Sequence, residues 1–372
     1  MRRLSLALAA ALLLAACTSE SGGKAAPRTT ASTSLAPVTL APAPGTGSST
    51  SAKPSTSTAK PGEFTMSFAG DVHFMDRVGA RLAADPNTVF GPAAAVLSKA
   101  DLTMVNLETA ITTGGSPASK EFTFRAPPSA FTALRAAGID IATMANNHGA
   151  DYGKVGLADT LAAINSSHFP VVGIGKDANA AYAPYTTTVH GVRIAVLAAS
   201  QVQDETLANY TAGPGKPGIA SAYSSRLIDA VKAAKAAGYV VIVYLHWGIE
   251  YTSCPDGAQR DLASQLDHAG ATAVIGTHVH ELQGAGWKSD GTYVAYGLGN
   301  YLWWKSFGNV QDDNGVLTLT FRDGKVVNSA FSPSHLDDQG VPVPATGAQA
   351  ARILDQFNND RPCTGLAASA PN

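Results

Sequence analysis

Five short stretches of the chain carry side chains able to hold a divalent cation. They are Asp71-Val72-His73, Asn106-Leu107-Glu108, Asn146-Asn147-His148, the single His246 before Trp247-Gly248, and His278-Val279-His280. Carboxylate, amide and imidazole donors suit hard and borderline metals, and no thiolate accompanies them, so a cysteine-type zinc site does not fit. Taken singly, each has an ordinary explanation. Asp71 follows a glycine and could close a turn, Glu108 could be a solvated carboxylate, and Asn146 and Asn147 are turn formers. One histidine at a strand end is more often a hydrogen-bonded loop residue than a ligand. The joint pattern is different, because five of the nine histidines fall in these clusters.

The clusters gain meaning from the elements that must position them. Each ends a short apolar run, the runs being 64–69, 102–106, 139–145, 240–245 and 273–275, with further runs at 171–174, 194–198 and 293–296. Stretches with helical spacing lie between them, at 130–137, 157–164, 224–236 and 258–268. Short strands alternating with helices imply a layered α/β protein. Ligands in such sheets bind beyond the carboxyl ends of the strands, so clusters scattered in sequence should meet in space. Residues 316–331 read as a hairpin turning at Arg322-Asp323-Gly324, and a weak helix at 348–357 precedes a polar tail.

Composition bounds the rest. The 372 residues carry 26 basic and 28 acidic groups, charged residues are 15% of the chain, and there are three cysteines. A nucleic-acid binder with a broad basic face, a chain disordered by charge and a disulfide scaffold are all excluded. Residues 1–17 read as a secretory signal: Arg2-Arg3, an apolar run from Leu4 to Ala16, then Cys17. Leu14-Ala15-Ala16-Cys17 resembles the lipobox of bacterial lipoproteins, whose cysteine is acylated and begins the mature chain. In residues 18–63, 37 of 46 positions are Ser, Thr, Pro, Ala or Gly, which predicts a disordered tether. Its coil reach would be roughly 40 Å.

The five clusters resemble the calcineurin-like metallophosphoesterase signature of D-x-H, GD, GNH, a lone H and G-H-x-H. Together with Phe124-Arg125-Ala126-Pro127, His246-Trp247-Gly248-Ile249-Glu250 and Gly297-Leu298-Gly299-Asn300, they more specifically resemble the CapA family, named for poly-γ-glutamate capsule synthesis. The resemblance spans about residues 64–336 and implies one calcineurin-like domain of β-sheets flanked by helices, with 337–372 as a C-terminal extension. It implies two adjacent divalent metals (Mn, Fe or Zn), one held by Asp71, His73 and His280, the other by Asn147, His246 and His278. Glu108 takes the bridging slot, where the phosphoesterases have an aspartate after a glycine. The Asn-His pair likewise follows Asn146 where they have a glycine.

Such metals would polarise a phosphoryl or acyl oxygen, with His148 protonating a leaving group. Arg125 is a candidate grip for an anionic substrate, an exposed salt bridge being the equal alternative. Glu250 and Asn300 would orient the ligand histidines. Trp247, Trp303 and Trp304 lie beside the site, where packing is the commoner role for an aromatic ring. Cys254 and Cys363 would pair in an exported protein, or remain two free thiols. The expectation is an exported protein, lipid-anchored at the outer face of the membrane, hydrolysing a cell-envelope or poly-γ-glutamate-type polymer. A non-catalytic accessory of a membrane polymer synthase and a polyanion-binding lipoprotein are the rival readings.

Overall fold

Alternation along the strands decides which way each one faces. In the strand Val240–His246, Val240, Ile242 and Tyr244 join one buried cluster, whereas Val241, Val243 and Leu245 join another. The first cluster joins the facing sides of two β-sheets and continues into the helices over the first sheet; the second lies between one sheet and its covering helices. His246 shares the parity of Tyr244, so the same alternation turns it toward the inter-sheet side. The computed structural model in which these contacts are seen describes residues 60–371. The expected signal peptide, Cys17 and the tether up to residue 59 lie outside the described residues.

The first sheet has eight strands, in the order Pro342–Pro344, Lys325–Leu336, Asp313–Arg322, Glu63–Val72, Leu102–Leu107, Ile141–Thr143 and Val171–Val172, with Asn300–Leu302 also pairing Glu63–Val72. Its pairings from Glu63–Val72 to Val171–Val172 are parallel. The second sheet has six, in the order Leu282–Trp287, Tyr293–Leu298, Ala273–Thr277, Val240–His246, Val192–Ser200 and Tyr185–Val189. Its four central strands are parallel. Helices Ser225–Ala236 and Gly257–Ala269 cover it with Leu227, Val231, Leu262 and Leu266. The latter starts on an Asp256–Gln259 capping box and stops at left-handed Gly270. The Tyr244 hydroxyl joins the two sheets by donating to the Ala69 carbonyl at 2.6 Å.

Two features lie beyond what the patterning predicts. The edge strands Tyr185–Val189 and Leu282–Trp287 carry no clean apolar run: the first is mostly Thr, the second is interrupted by Gly284 and Gly286. The stretch past residue 336 is built into the domain. Strand Pro342–Pro344 extends the first sheet, and helix Gly347–Asn359 buries Ile353 and Phe357, the latter stacked on Phe331. Among the described residues no helix is long and apolar enough to cross a membrane.

Cys254 and Cys363 form a disulfide, with Cα atoms 5.8 Å apart. It ties the loop that follows His246 to the C-terminal segment across a sequence separation of 109 residues. In the chain-entropy model a loop of that length stabilises the fold by about 4–5 kcal/mol. Reduction, or Cys363→Ser, is therefore expected to lower the melting temperature and to open the 247–256 loop to protease. Thermal melts with and without reductant check this, as does alkylation without reductant, which should add no mass at these two positions.

Candidate metal centre

Strand register brings the polar residues abreast. Asp71 lies opposite Asn106 on one side and Asn300 on the other, and Asn106 lies opposite Thr143. In the second sheet His246 lies opposite Thr277, one residue before His278. The close approach at Asp71 requires glycine before it. A Cβ on Gly70 would sit 1.9 Å from the Gly299 carbonyl oxygen, the group that accepts the Asp71 backbone N–H at 3.0 Å.

The carboxyl ends of the two sheets meet in a buried donor set. Ligand atoms of Asp71, Glu108 and His246 lie within 4.8 Å of one another, as do those of Glu108, His278 and His280. Glu108 belongs to both groups, the relation a bridging carboxylate needs. His278 and His280 occupy left-handed backbone, at φ 94° and 59°. Such conformations are costly for non-glycine residues and recur at functional turns. The intervening Val279 is wholly buried against Gly248 and Gly297, where an added Cβ would come within 2.7 Å of its methyl carbons.

Amide side chains set the orientation of the ligands. Asn146 Nδ2 donates to Asn106 Oδ1 at 2.9 Å, which turns the Asn106 amide nitrogen toward Asp71 Oδ1 (2.8 Å) and His246 Nδ1 (3.1 Å). Because Asn106 donates, His246 Nδ1 accepts. The ring proton then sits on Nε2 and is given to Asn147 Oδ1 at 2.7 Å, and a cation taken up between His246, Asn147 and Glu108 would replace that proton. Asn300 Oδ1 lies 2.8 Å from His280 Nδ1 and acts the other way round: it accepts the Nδ1–H, which leaves the Nε2 lone pair free for a cation. His148 Nδ1 lies 2.6 Å from Asp151 Oδ2, leaving Nε2 on the side of Glu108, 3.7 Å from Oε1.

Burial dominates the electrostatics. It pushes Glu108 well above the carboxylate range, helped by Asp71, and it raises Asp71. It drives His73, His148, His246 and His278 well below the ordinary imidazole value, and His280 below it. Neutral imidazoles are the form that binds metal. Glu108 Oε1, His73 Nδ1 and His278 Nδ1 are buried without hydrogen-bond partners, a cost of about 1–3 kcal/mol each for a polar group. Orphaned oxygen and nitrogen donors around one shared carboxylate fit a divalent cation.

Not every expected residue joins this set. His73 is buried beside it but stands outside both groups. Its ring stacks on Phe124 at 4.3 Å and meets the Trp303 edge at 4.2 Å, and its Nε2 accepts the Trp304 backbone N–H at 3.4 Å. Arg125 is exposed, with its guanidinium 4.8 Å from the centre of the Tyr152 ring. Glu250 is exposed, 3.9 Å from His280 Nε2. Trp247 is wholly buried and bonded to the Tyr296 carbonyl, so it packs the core. Trp303 is buried against His73 and His280.

Two residues of the site carried little sequence signal. Asp151 holds His148, accepts the Phe124 backbone N–H at 2.7 Å, and is raised to about 7 by burial, with Lys120 opposing the shift. Lys120 lies 2.5 Å from Asp151 Oδ1, also donates to the Asn147 carbonyl, and reaches Asp204 at 3.3 Å. The spacing His148-Gly-Ala-Asp151 was the one available clue. Lys120 sits in a Gly- and Ser-rich loop where a lysine reads as solvated.

The signs of these shifts give a pH dependence. The buried histidines have folded-state pKa values below the ordinary 6.5, so their contribution to stability is present above 6.5 and is lost as pH falls from there. The raised carboxyls act oppositely, opposing stability as pH rises and they ionise, unless a cation offsets their charge. Mn²⁺ or Zn²⁺ is therefore expected to raise the melting temperature more at pH 7.5 than at pH 5, which melts with and without metal check. Asn300→Ala should weaken metal affinity about 10–100-fold, measured by titration.

Comparison with known proteins bears on the same residues. The model of the bacterial capsule synthesis protein PGA_cap family matches residues 65–303. The PGA biosynthesis protein CapA of Bacillus subtilis is 28% identical over 252 residues, 66% of this chain and 65% of that one. The capsule biosynthesis protein CapA of Bacillus anthracis is 29% identical over 248 residues, 65% of this chain and 59% of that one. A probable polyglutamine synthesis accessory protein of Mycobacterium tuberculosis is 31% identical over 224 residues, 57% of this chain and 59% of that one. The chain thus spans somewhat less than two thirds of the length of these relatives. Among solved structures, the Haemophilus influenzae NAD nucleotidase aligns with TM-score 0.40 and 14% identity, over 83% of this chain and 64% of that one. Five of the expected ligands, Asp71, Glu108, His246, His278 and His280, form the donor set within the matched residues, and the chain belongs to the bacterial capsule synthesis protein (PGA_cap) family.

Proposed function

We propose that this protein is a metal-dependent hydrolase or transferase acting on a cell-envelope polymer, exported and held at the outer face of the membrane by lipid on Cys17. The observation that carries the catalytic part is Glu108, shared between two groups of ligands and buried with one oxygen unpartnered. Divalent ions held by Asp71, Glu108, His246, His278 and His280, with Asn147 beside His246, would polarise a phosphoryl or acyl oxygen and acidify a bound water.

The chain's own groups supply the rest. His148 faces Glu108 through Nε2 while Asp151 holds Nδ1, and burial keeps the ring neutral, so Nε2 would take the proton of an attacking water and hand it to the leaving group. Asp151 would stabilise the charged imidazole between those two transfers. Asn106 and Asn146 hold the ligand atoms against rotation, which keeps the geometry ready before substrate arrives. Trp303 and Phe124 wall the His73 side and limit water. Export and anchoring are supported by the Arg2–Ala16 signal pattern and the lipobox-like residues ending at Cys17.

A second reading, that the protein is a non-catalytic accessory working with a membrane polymer synthase, is favoured by the mycobacterial relative, which is named as a probable accessory protein of polyglutamine synthesis. His148→Ala separates the two. For an enzyme the variant should keep its metal content and lose about 10²–10⁴-fold in turnover on a responsive phosphodiester or γ-glutamyl substrate. If polymer production in cells is untouched by the substitution, the accessory reading holds. Separately, Cys17→Ala should move the protein from the detergent phase to the aqueous phase on Triton X-114 partition.

A further inference from the structure

A groove of about 460 Å³ opens beside His278, within the range of small-ligand sites. It lies at the carboxyl ends of three adjacent parallel strands, Val192–Ser200, Val240–His246 and Ala273–Thr277. Gln201 and Gln203 enter it after the first, Glu250 after the second and His278 after the third, and Asp256 and Tyr223 complete the polar lining. Among the described residues no lysine or arginine lines it. His278 connects it to the metal centre and is itself buried, with Nδ1 unpartnered.

Tyr223 presents a held aromatic face. Its side chain is 56% exposed although its hydroxyl donates to the Gln201 carbonyl at 3.0 Å and its backbone N–H donates to Ser221 Oγ. An exposed ring fixed at its polar end is a plate for the flat face of a ligand, while two amides and two carboxylates beside it accept and donate hydrogen bonds at their edges. Tyr251, next to Glu250 in sequence, is also exposed, its ring centre 5.9 Å from that of His280.

An anionic polymer would lay its charges against Glu250 and Asp256 with no cation in the groove to receive them. Hydroxyls and amines meet the opposite situation, since carboxylates accept from both and protonated amines gain charge attraction as well. We propose that this groove is a substrate subsite for an amino-sugar chain, a hydroxylated and amine-bearing glycan segment stacked on Tyr223 and bonded by Gln201, Gln203, Glu250 and Asp256. It rests on the preceding reading only in taking the adjoining centre to work on an envelope polymer, and it narrows the chemistry of that polymer.

The test is calorimetric titration of the full chain with a glucosamine hexamer and, separately, with a γ-glutamyl hexamer, both with and without Mn²⁺. The expected result is at least tenfold tighter binding of the glucosamine hexamer with or without metal. Tyr223→Ala and Glu250→Gln should each weaken it at least fivefold, and circular dichroism should show both variants folded, as these two side chains are exposed. Equal or tighter binding of the γ-glutamyl hexamer overturns the proposal. So does binding of neither hexamer, or glucosamine binding that both substitutions leave unchanged. Turnover is not part of the readout. Glycan binding without cleavage would count against the hydrolase reading and leave the subsite standing, whereas metal-dependent cleavage of a γ-glutamyl chain would do the reverse.

Discussion

The structure depends on the burial of several ionisable side chains in one place, with Lys120 at one side paired to Asp151 as the cationic side chain near them. Asp71, Glu108, His73 and His246 are almost completely excluded from water, and His148, His278 and His280 nearly so. Desolvation makes every charged form unfavourable there, which is why the carboxyls shift up and the imidazoles shift down together. A protein would gain by replacing such groups with apolar ones unless something else repaid their desolvation. A bound divalent ion does so directly, because it favours ionised carboxylate and neutral imidazole at once. The donor set is thus a liability to the empty fold and an asset to the loaded one.

Holding that set requires rigidity in two sheets that share only a core. Tyr244 on one sheet and Ala69 on the other are bonded just below the site, and the parity that buries Tyr244 also aims His246. Asn106 is the corresponding link above them, touching Asp71 in its own sheet and His246 in the other. A shift of one residue in either strand would send these side chains to the opposite face. The disulfide acts further out, pinning the loop that carries Glu250 and Tyr251 to the C-terminal segment. Precision therefore falls off from the strand ends, fixed by register, to the mouth, fixed by a crosslink.

Much of this was legible in the chain. Runs such as Val240–Leu245 and Ala273–Ile275 announce buried parallel strands, and their last residues announce the site, because strand ends in one sheet must lie side by side. What stayed hidden depended on contacts between distant residues. Lys120 joins Asp151, Asn147 and Asp204 only once the 112–124 loop has folded over the Asn147–His148 turn, and no local pattern encodes that. Arg125 is a case of placement that no local pattern encodes: the short strand Arg125–Ala126 leaves its side chain exposed with the guanidinium over the Tyr152 ring. The Thr-rich edge strand Tyr185–Val189 was missed because its faces are only partly buried and its composition has no apolar period.

The interior and the mouth of the site then make opposite demands on charge. Inside, the chain collects carboxylate and imidazole donors around Glu108. At the entrance it places Glu250 and Asp256 and no basic residue. If an anionic polymer were drawn in by field alone, the entrance would carry the cations, since steering acts through exposed charge over roughly a Debye length. Lys120 cannot serve, as it is largely buried and already shared between two carboxylates. Along this groove, attraction for an anion would have to come from a cation held at the bottom of the site, and contacts with a chain lying in it from stacking and from neutral or cationic donors on that chain. A reacting phosphoryl or acyl group can be anionic without the chain that bears it being so. The fold separates those two requirements by assigning the first to strand ends and the second to the loops that follow them.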